Sequence, residues 1–146
     1  MTRLSRSSLL GVLAGVVWVA ALGLACQKPR TCPPGFKEEA VGDQALWCLD
    51  HSKGQAIYYD LHPGTRYRKQ ACPFSGGVLS GDFEGWHPDG KRWLLGQYRE
   101  GKLEGKWQQW SETGSKVADA EYREGRLVSG APVAVAAICE RLRPPQ

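Results

Sequence analysis

The stretch that decides the fold is Tyr98-Arg99-Glu100-Gly101-Lys102-Leu103-Glu104-Gly105-Lys106-Trp107-Gln108-Gln109-Trp110-Ser111-Glu112-Thr113-Gly114. Its landmarks recur at an offset of 24 residues: Phe74, Tyr98 and Tyr122; Gly77, Gly101 and Gly125; Leu79, Leu103 and Leu127. Between the first two units the correspondence extends to Gly81 with Gly105, Phe83 with Trp107, Trp86 with Trp110 and Gly90 with Gly114. A fixed period of this length marks a repeated supersecondary unit, which must be recognised before any other feature is read.

The chemistry of the unit is that of β-structure. Glycines fall at regular intervals between short aromatic runs, where turns belong. Pro88-Asp89-Gly90 supplies a preset φ followed by a residue that tolerates positive φ, and Glu112-Thr113-Gly114 occupies the same place one unit later. Lys91 to Tyr98 and Ser115 to Tyr122 are then return strands, joined to the next unit by Arg-Glu-Gly links. The expected fold class is all-β: an antiparallel meander of repeated β-hairpins, preceded by an N-terminal signal helix and stapled by two disulfides. One hairpin alone is marginal, so stability must come from neighbouring units and end caps. Trp107 and Trp110 are three residues apart and so point to opposite faces of a regular strand. Two readings of these rings stay open. In one, a ring packs under the meander while the other stacks on Trp86. In the other, Trp86, Trp110 and Trp93 form an exposed ladder able to stack on sugars or grip a protein edge.

The unit [FY]-x-x-G-x-L-x-G-x-[FW]-x-x-W-x-x-x-G resembles the MORN family, and more closely its bacterial MORN-2 variant, found in YwqK-type antitoxins. Tyr98, Gly101, Gly105, Trp107, Trp110 and Gly114 match that variant position by position. Phe74, Gly77, Gly81, Phe83, Trp86 and Gly90 match with Phe at two aromatic places. The third unit keeps Tyr122, Gly125 and Leu127, then has Ser129 where Gly belongs and Ala131 where the aromatic belongs. The resemblance spans Phe74 to Gly130 and implies binding or scaffolding without naming the ligand.

Outside residues 74–130 the chain reads as caps. Leu61-His62-Pro63-Gly64 echoes Trp86-His87-Pro88-Asp89-Gly90, which suggests a degenerate unit within 32–73, from Trp47 to Tyr67. Cys32 and Cys48 would close this N-terminal unit. Ala131 to Ile138 is apolar and reads as a final strand held by Cys139, within a C-terminal cap and tail over 131–146.

The N-terminus carries Arg3 and Arg6, then no charge from Leu9 to Ala25, then Gly23-Leu24-Ala25-Cys26. A basic head, an apolar run and small residues before a cut site make an export signal. The Cys after the small residue makes it resemble bacterial lipoprotein signals, with Gly23 where that family usually has Leu. The resemblance implies removal of residues 1–25, acylation of Cys26 and a lipidated tether over 26–31. Gln27, not Asp, favours by the same resemblance the outer membrane, with the chain on its periplasmic face or surface. The alternative is an uncleaved inner-membrane anchor.

With Cys26 assigned to lipid, Cys32, Cys48, Cys72 and Cys139 remain, an even number suited to an oxidising compartment. Four cysteines allow three connectivities, and chain order suggests Cys32–Cys48 and Cys72–Cys139. No C-x-x-C occurs, and His51, His62 and His87 lack ligand spacing with the cysteines, so no metal site or cofactor is expected. The formal charge is +4, and loss of Arg3 and Arg6 leaves +2, which does not point to nucleic acid. No nucleophile or oxyanion motif accompanies His87, so the catalytic set is empty and the chain is not expected to be an enzyme. The sequence therefore predicts a membrane-anchored, non-enzymatic lipoprotein that binds another envelope protein. Alternatives are binding of peptidoglycan or another glycan through the Trp ladder, and a YwqK-type antitoxin or immunity role.

Overall fold

The computed structural model describes residues 31–135 and 138–146; the expected signal, Cys26 and the tether up to residue 30 lie outside the described residues. Turn glycines and alternating aromatics produce one antiparallel sheet of ten strands. In order these are β1 (Lys37–Val41), β2 (Ala45–Asp50), β3 (Gln55–Leu61), β4 (Arg68–Ser75), β5 (Val78–Leu79), β6 (Gly81–Trp86), β7 (Arg92–Arg99), β8 (Lys102–Trp110), β9 (Lys116–Arg123) and β10 (Arg126–Gly130). Each strand pairs with its sequence neighbours, except that the two-residue β5 sits beside β4, which also pairs with β6. The all-β meander expected from the repeat is the observed fold, and the two return strands are β7 and β9.

Glu100 and Gly101 link one unit to the next with φ of 50° and 80°. Two consecutive positive values give a hairpin turn whose twist matches that of the flanking strands, and glycine takes the second place without steric cost. The Gly101 amide donates to the Leu79 carbonyl at 2.8 Å, and Gly125 repeats this onto Leu103 at 2.9 Å. Successive units are thus tied at their turns as well as along their strands.

Side-chain alternation sorts the apolar residues onto two faces. The first face carries Trp47, Tyr58, Phe74, Phe83, Leu94, Tyr98, Trp107 and Tyr122. Trp107 is wholly buried, stacked on Phe83 at 5.6 Å between ring centroids and meeting the edge of Tyr98 at 5.2 Å. The second face carries Leu46, Cys48, Tyr59, Leu61, Ala71 and Trp86.

Each apolar face has its own cover. Over the first runs the C-terminal segment: the Ala131 amide donates to the Asp119 carbonyl at 2.9 Å, Val133 N–H to the Tyr122 hydroxyl at 3.4 Å and Ala134 N–H to Gln109 Oε1 at 3.0 Å. Further on lies the short helix α1 (Ile138–Arg141), where Cys139 joins Cys72 across a Cα separation of 5.6 Å. The second face is covered by the segment around Cys32 and Phe36, held by Cys32–Cys48 with a Cα separation of 5.4 Å. Both disulfides are the pairs that chain order suggests.

The final strand expected over 131–138 needs correction. Residues 131–135 form no strand, and Ile138 and Cys139 are helical. The apolar character of the run is satisfied differently: Val133 and Val135 lie flat against the aromatic face rather than pairing at its edge. Pro132, which has no N–H to give, stands where the chain leaves β10.

Candidate interaction surface

Besides the exposed edge strands β1 and β10, the covers leave the second face open across β6 to β9. Strand alternation places Asp82 and Glu84 there from β6, Gln97 from β7, Glu104, Lys106 and Gln108 from β8, and Asp119 and Glu121 from β9. Their apolar counterparts one residue away, Phe83, Tyr98, Trp107 and Ala120, fill the covered face. The same strands therefore build the core with one parity and a polar surface with the other.

That surface is organised by cross-strand pairs. Gln97 donates to Asp82 at 3.4 Å, and Gln108 to Asp119 at 3.3 Å. Arg92 meets Glu84 at 3.3 Å and Arg99 meets Glu104 at 3.6 Å across strands, and within β9 Lys116 meets Asp119 at 2.9 Å. The Lys116 ammonium, joined by the Gln108 amide, holds the Asp119 carboxyl below the usual carboxylate range. A shallow hollow of about 340 Å³ lies among Asp82, Glu84, Leu95, Gln97, Glu104 and Lys106. Oriented amides and carboxylates over a rigid sheet can exchange hydrogen bonds with a polar partner at little entropic cost.

The aromatic candidates divide between the faces. Tyr98, Trp107 and Tyr122 are buried in the first-face core, and Trp93 packs half-buried against it. Trp86 lies on the second face, only 6% exposed, and Trp110 is half-buried. Trp107 and Trp110 do take opposite faces, as their spacing requires. The exposed ladder of Trp86, Trp93 and Trp110 is not formed, because Trp86 packs into the cluster with Leu61 and Tyr59 while Trp93 lies on the other face.

The seven glycines singled out by the repeat, Gly77, Gly81, Gly90, Gly101, Gly105, Gly114 and Gly125, all have positive φ. Two of them are not in turns: Gly81 begins β6 and Gly105 lies inside β8, where pairing with β7 is irregular. Two other glycines have a role that turn logic misses. A Cβ on Gly85 would fall within the Trp93 indole, and one on Gly96 within the Trp107 indole. Each is a strand glycine kept bare so that a ring can lie on the backbone.

The histidines of the echoed turns have matching partners. His62 Nε2 lies 2.9 Å from the Trp86 carbonyl oxygen, and His87 Nε2 lies 3.1 Å from that of Trp110. A carbonyl only accepts, so Nε2 carries the hydrogen in both rings. The relation of His62 to His87 bears on the degenerate upstream unit: both turns clamp the end of the next unit's aromatic strand. The signal was present in the paired His-Pro sequences, but its partner was a main-chain group that no motif displays. Among the described residues no three His, Cys, Asp or Glu side chains gather as a metal-binding group. Comparison with protein-family models and with curated proteins finds no match for this chain.

Proposed function

We propose that this chain is a lipid-anchored, non-enzymatic envelope protein whose MORN-like repeats offer the polar face of β6 to β9 to another envelope protein. The observation that carries this reading is the use of every cysteine after Cys26 in a disulfide, Cys32 with Cys48 and Cys72 with Cys139. Disulfides belong to oxidising compartments, and their pairing leaves Cys26 as the one cysteine available for acylation. The buried and half-buried tryptophans favour a protein partner over a glycan, since stacking on a sugar needs an open ring.

The test is the intact mass of the protein recovered from membranes, before and after reduction. The expected mass begins at an acylated Cys26 and rises by the four hydrogens that reduction of the two disulfides requires. A full-length chain with free thiols in the cytosol would overturn the reading and favour the antitoxin role.

A further inference from the structure

The described chain begins beside an unusual run, Arg66-Tyr67-Arg68-Lys69, which places three cations within four residues at the start of β4. Arg68 lies over the Tyr59 ring at 3.8 Å and donates to the Thr31 carbonyl, so the start of the described chain is held against this run. Arg66 and Lys69 are exposed, and Tyr67 is 37% exposed. Only five residue steps separate Thr31 from Cys26, a reach of at most about 18 Å. If Cys26 carries lipid, the run must stand close to the headgroups. The nearby acids are Asp60, already paired with Lys69 at 3.4 Å, Glu84, paired with Arg92, and Asp43 in the adjoining turn.

We propose that Arg66, Tyr67 and Lys69 form a docking edge for an anionic lipid surface, fixing how the domain stands on the membrane that anchors it. The inference rests on the lipoprotein reading but is tested separately from it. Exposed basic side chains near a membrane are drawn to anionic headgroups, and a tyrosine with an apolar body and polar tip suits the interface. The edge lies at the β3–β4 turn, so the open face of β6 to β9 is left clear for a protein partner.

Tyr67 is its own probe. The other four tyrosines, Tyr58, Tyr59, Tyr98 and Tyr122, are all less than 9% exposed, so a phenol-acetylating reagent such as N-acetylimidazole should select Tyr67. The mature protein, inserted into preformed vesicles, is compared on pure phosphatidylcholine and on phosphatidylcholine with phosphatidylglycerol. Flotation with both vesicles reads the anchor; the rate of Tyr67 acetylation, followed by peptide mass, reads the docking. Acetylation should slow about fivefold or more on the anionic vesicles, and recover in 0.5 M salt or in the Arg66→Glu/Lys69→Glu variant. A cooperative thermal transition matching the parent's confirms that the variant is folded. Equal rates on the two vesicles would overturn the docking edge while leaving the anchor intact. Protection already complete on phosphatidylcholine would point to another occupant and overturn it equally. A chain that floats with neither vesicle loses the anchor, and the proposal with it.

Discussion

Replacing Gly96 by alanine tests the architecture at its most crowded point. In an ordinary strand this change gains about 0.5–1 kcal/mol, because alanine has less backbone freedom to lose. Here the new methyl would occupy the space of the Trp107 indole, which is fully buried between Phe83 and Tyr98. The ring cannot retreat without losing its contacts, because Val133 and Val135 are packed on the same cluster from above. Overpacking costs about 1–3 kcal/mol, and weakening two aromatic pairs adds about 0.5–1.5 kcal/mol each. The net expectation is a loss of about 3 kcal/mol, or roughly 10 °C in Tm for a domain of this size. Guanidinium unfolding of the oxidised protein, followed by tryptophan fluorescence, measures it. A double-mutant cycle isolates the cause: in a Trp107→Ala background, Gly96→Ala should be neutral or stabilising. A single mutant within about 0.5 kcal/mol of the parent, or an equal loss in both backgrounds, would refute the account of a ring seated on bare backbone.

Three further outcomes are expected. Converting Cys72 and Cys139 to serine should destabilise by about 4.5 kcal/mol, against about 3 kcal/mol for Cys32 and Cys48, since the loops closed span 67 and 16 residues; the reverse order in denaturant titrations would contradict the loop-closure argument. Tyr98→Phe should be neutral or slightly stabilising, because the Tyr98 hydroxyl is buried with no partner among the described residues. Burial raises the Tyr98 pKa, so its neutral form stabilises the fold fully below the ordinary tyrosine value and that contribution fades as pH climbs above it; the variant should therefore show a shallower alkaline loss of stability in a pH series of melts. His62→Ala should cost about 1 kcal/mol and speed amide exchange at the end of β6, where the Trp86 carbonyl loses its donor; unchanged exchange there would show the bond to be dispensable.

Local signals in the sequence are sufficient for the meander and insufficient for its covers. The 24-residue offset and the turn glycines place the hairpins, and the three-residue step from Trp107 to Trp110 assigns them to opposite faces. Which face becomes core is decided elsewhere. Trp86 and Trp107 are both aromatic strand residues, yet one lies with Leu61 beside the N-terminal cover and the other under the C-terminal segment. The run 131–138 is apolar enough for a strand, and nothing local distinguishes pairing at an edge from lying across a face. Gly85 and Gly96 look like punctuation, although their meaning depends on rings contributed by Trp93 and Trp107. The residues of the open surface, Gln97, Gln108 and Asp119 among them, are legible only as the polar half of an alternation.

The placement of the two cysteine pairs on opposite faces has a consequence for biogenesis. As the chain emerges in order, Cys48 and Cys72 are both exposed to oxidants long before Cys139 arrives 67 residues after Cys72. Proximity along the chain favours Cys32–Cys48, 16 residues apart, and leaves Cys48–Cys72 as the nearest wrong bond in sequence. Once β2, β3 and β4 have paired, however, Cys48 projects with Leu46 to one side and Cys72 with Phe74 to the other. The backbone of the sheet then stands between the two thiols and acts as a partition. Pairing fidelity is thereby delegated to the earliest hairpins, and Cys72 is held in reserve until the last residues of the chain close over the aromatic face.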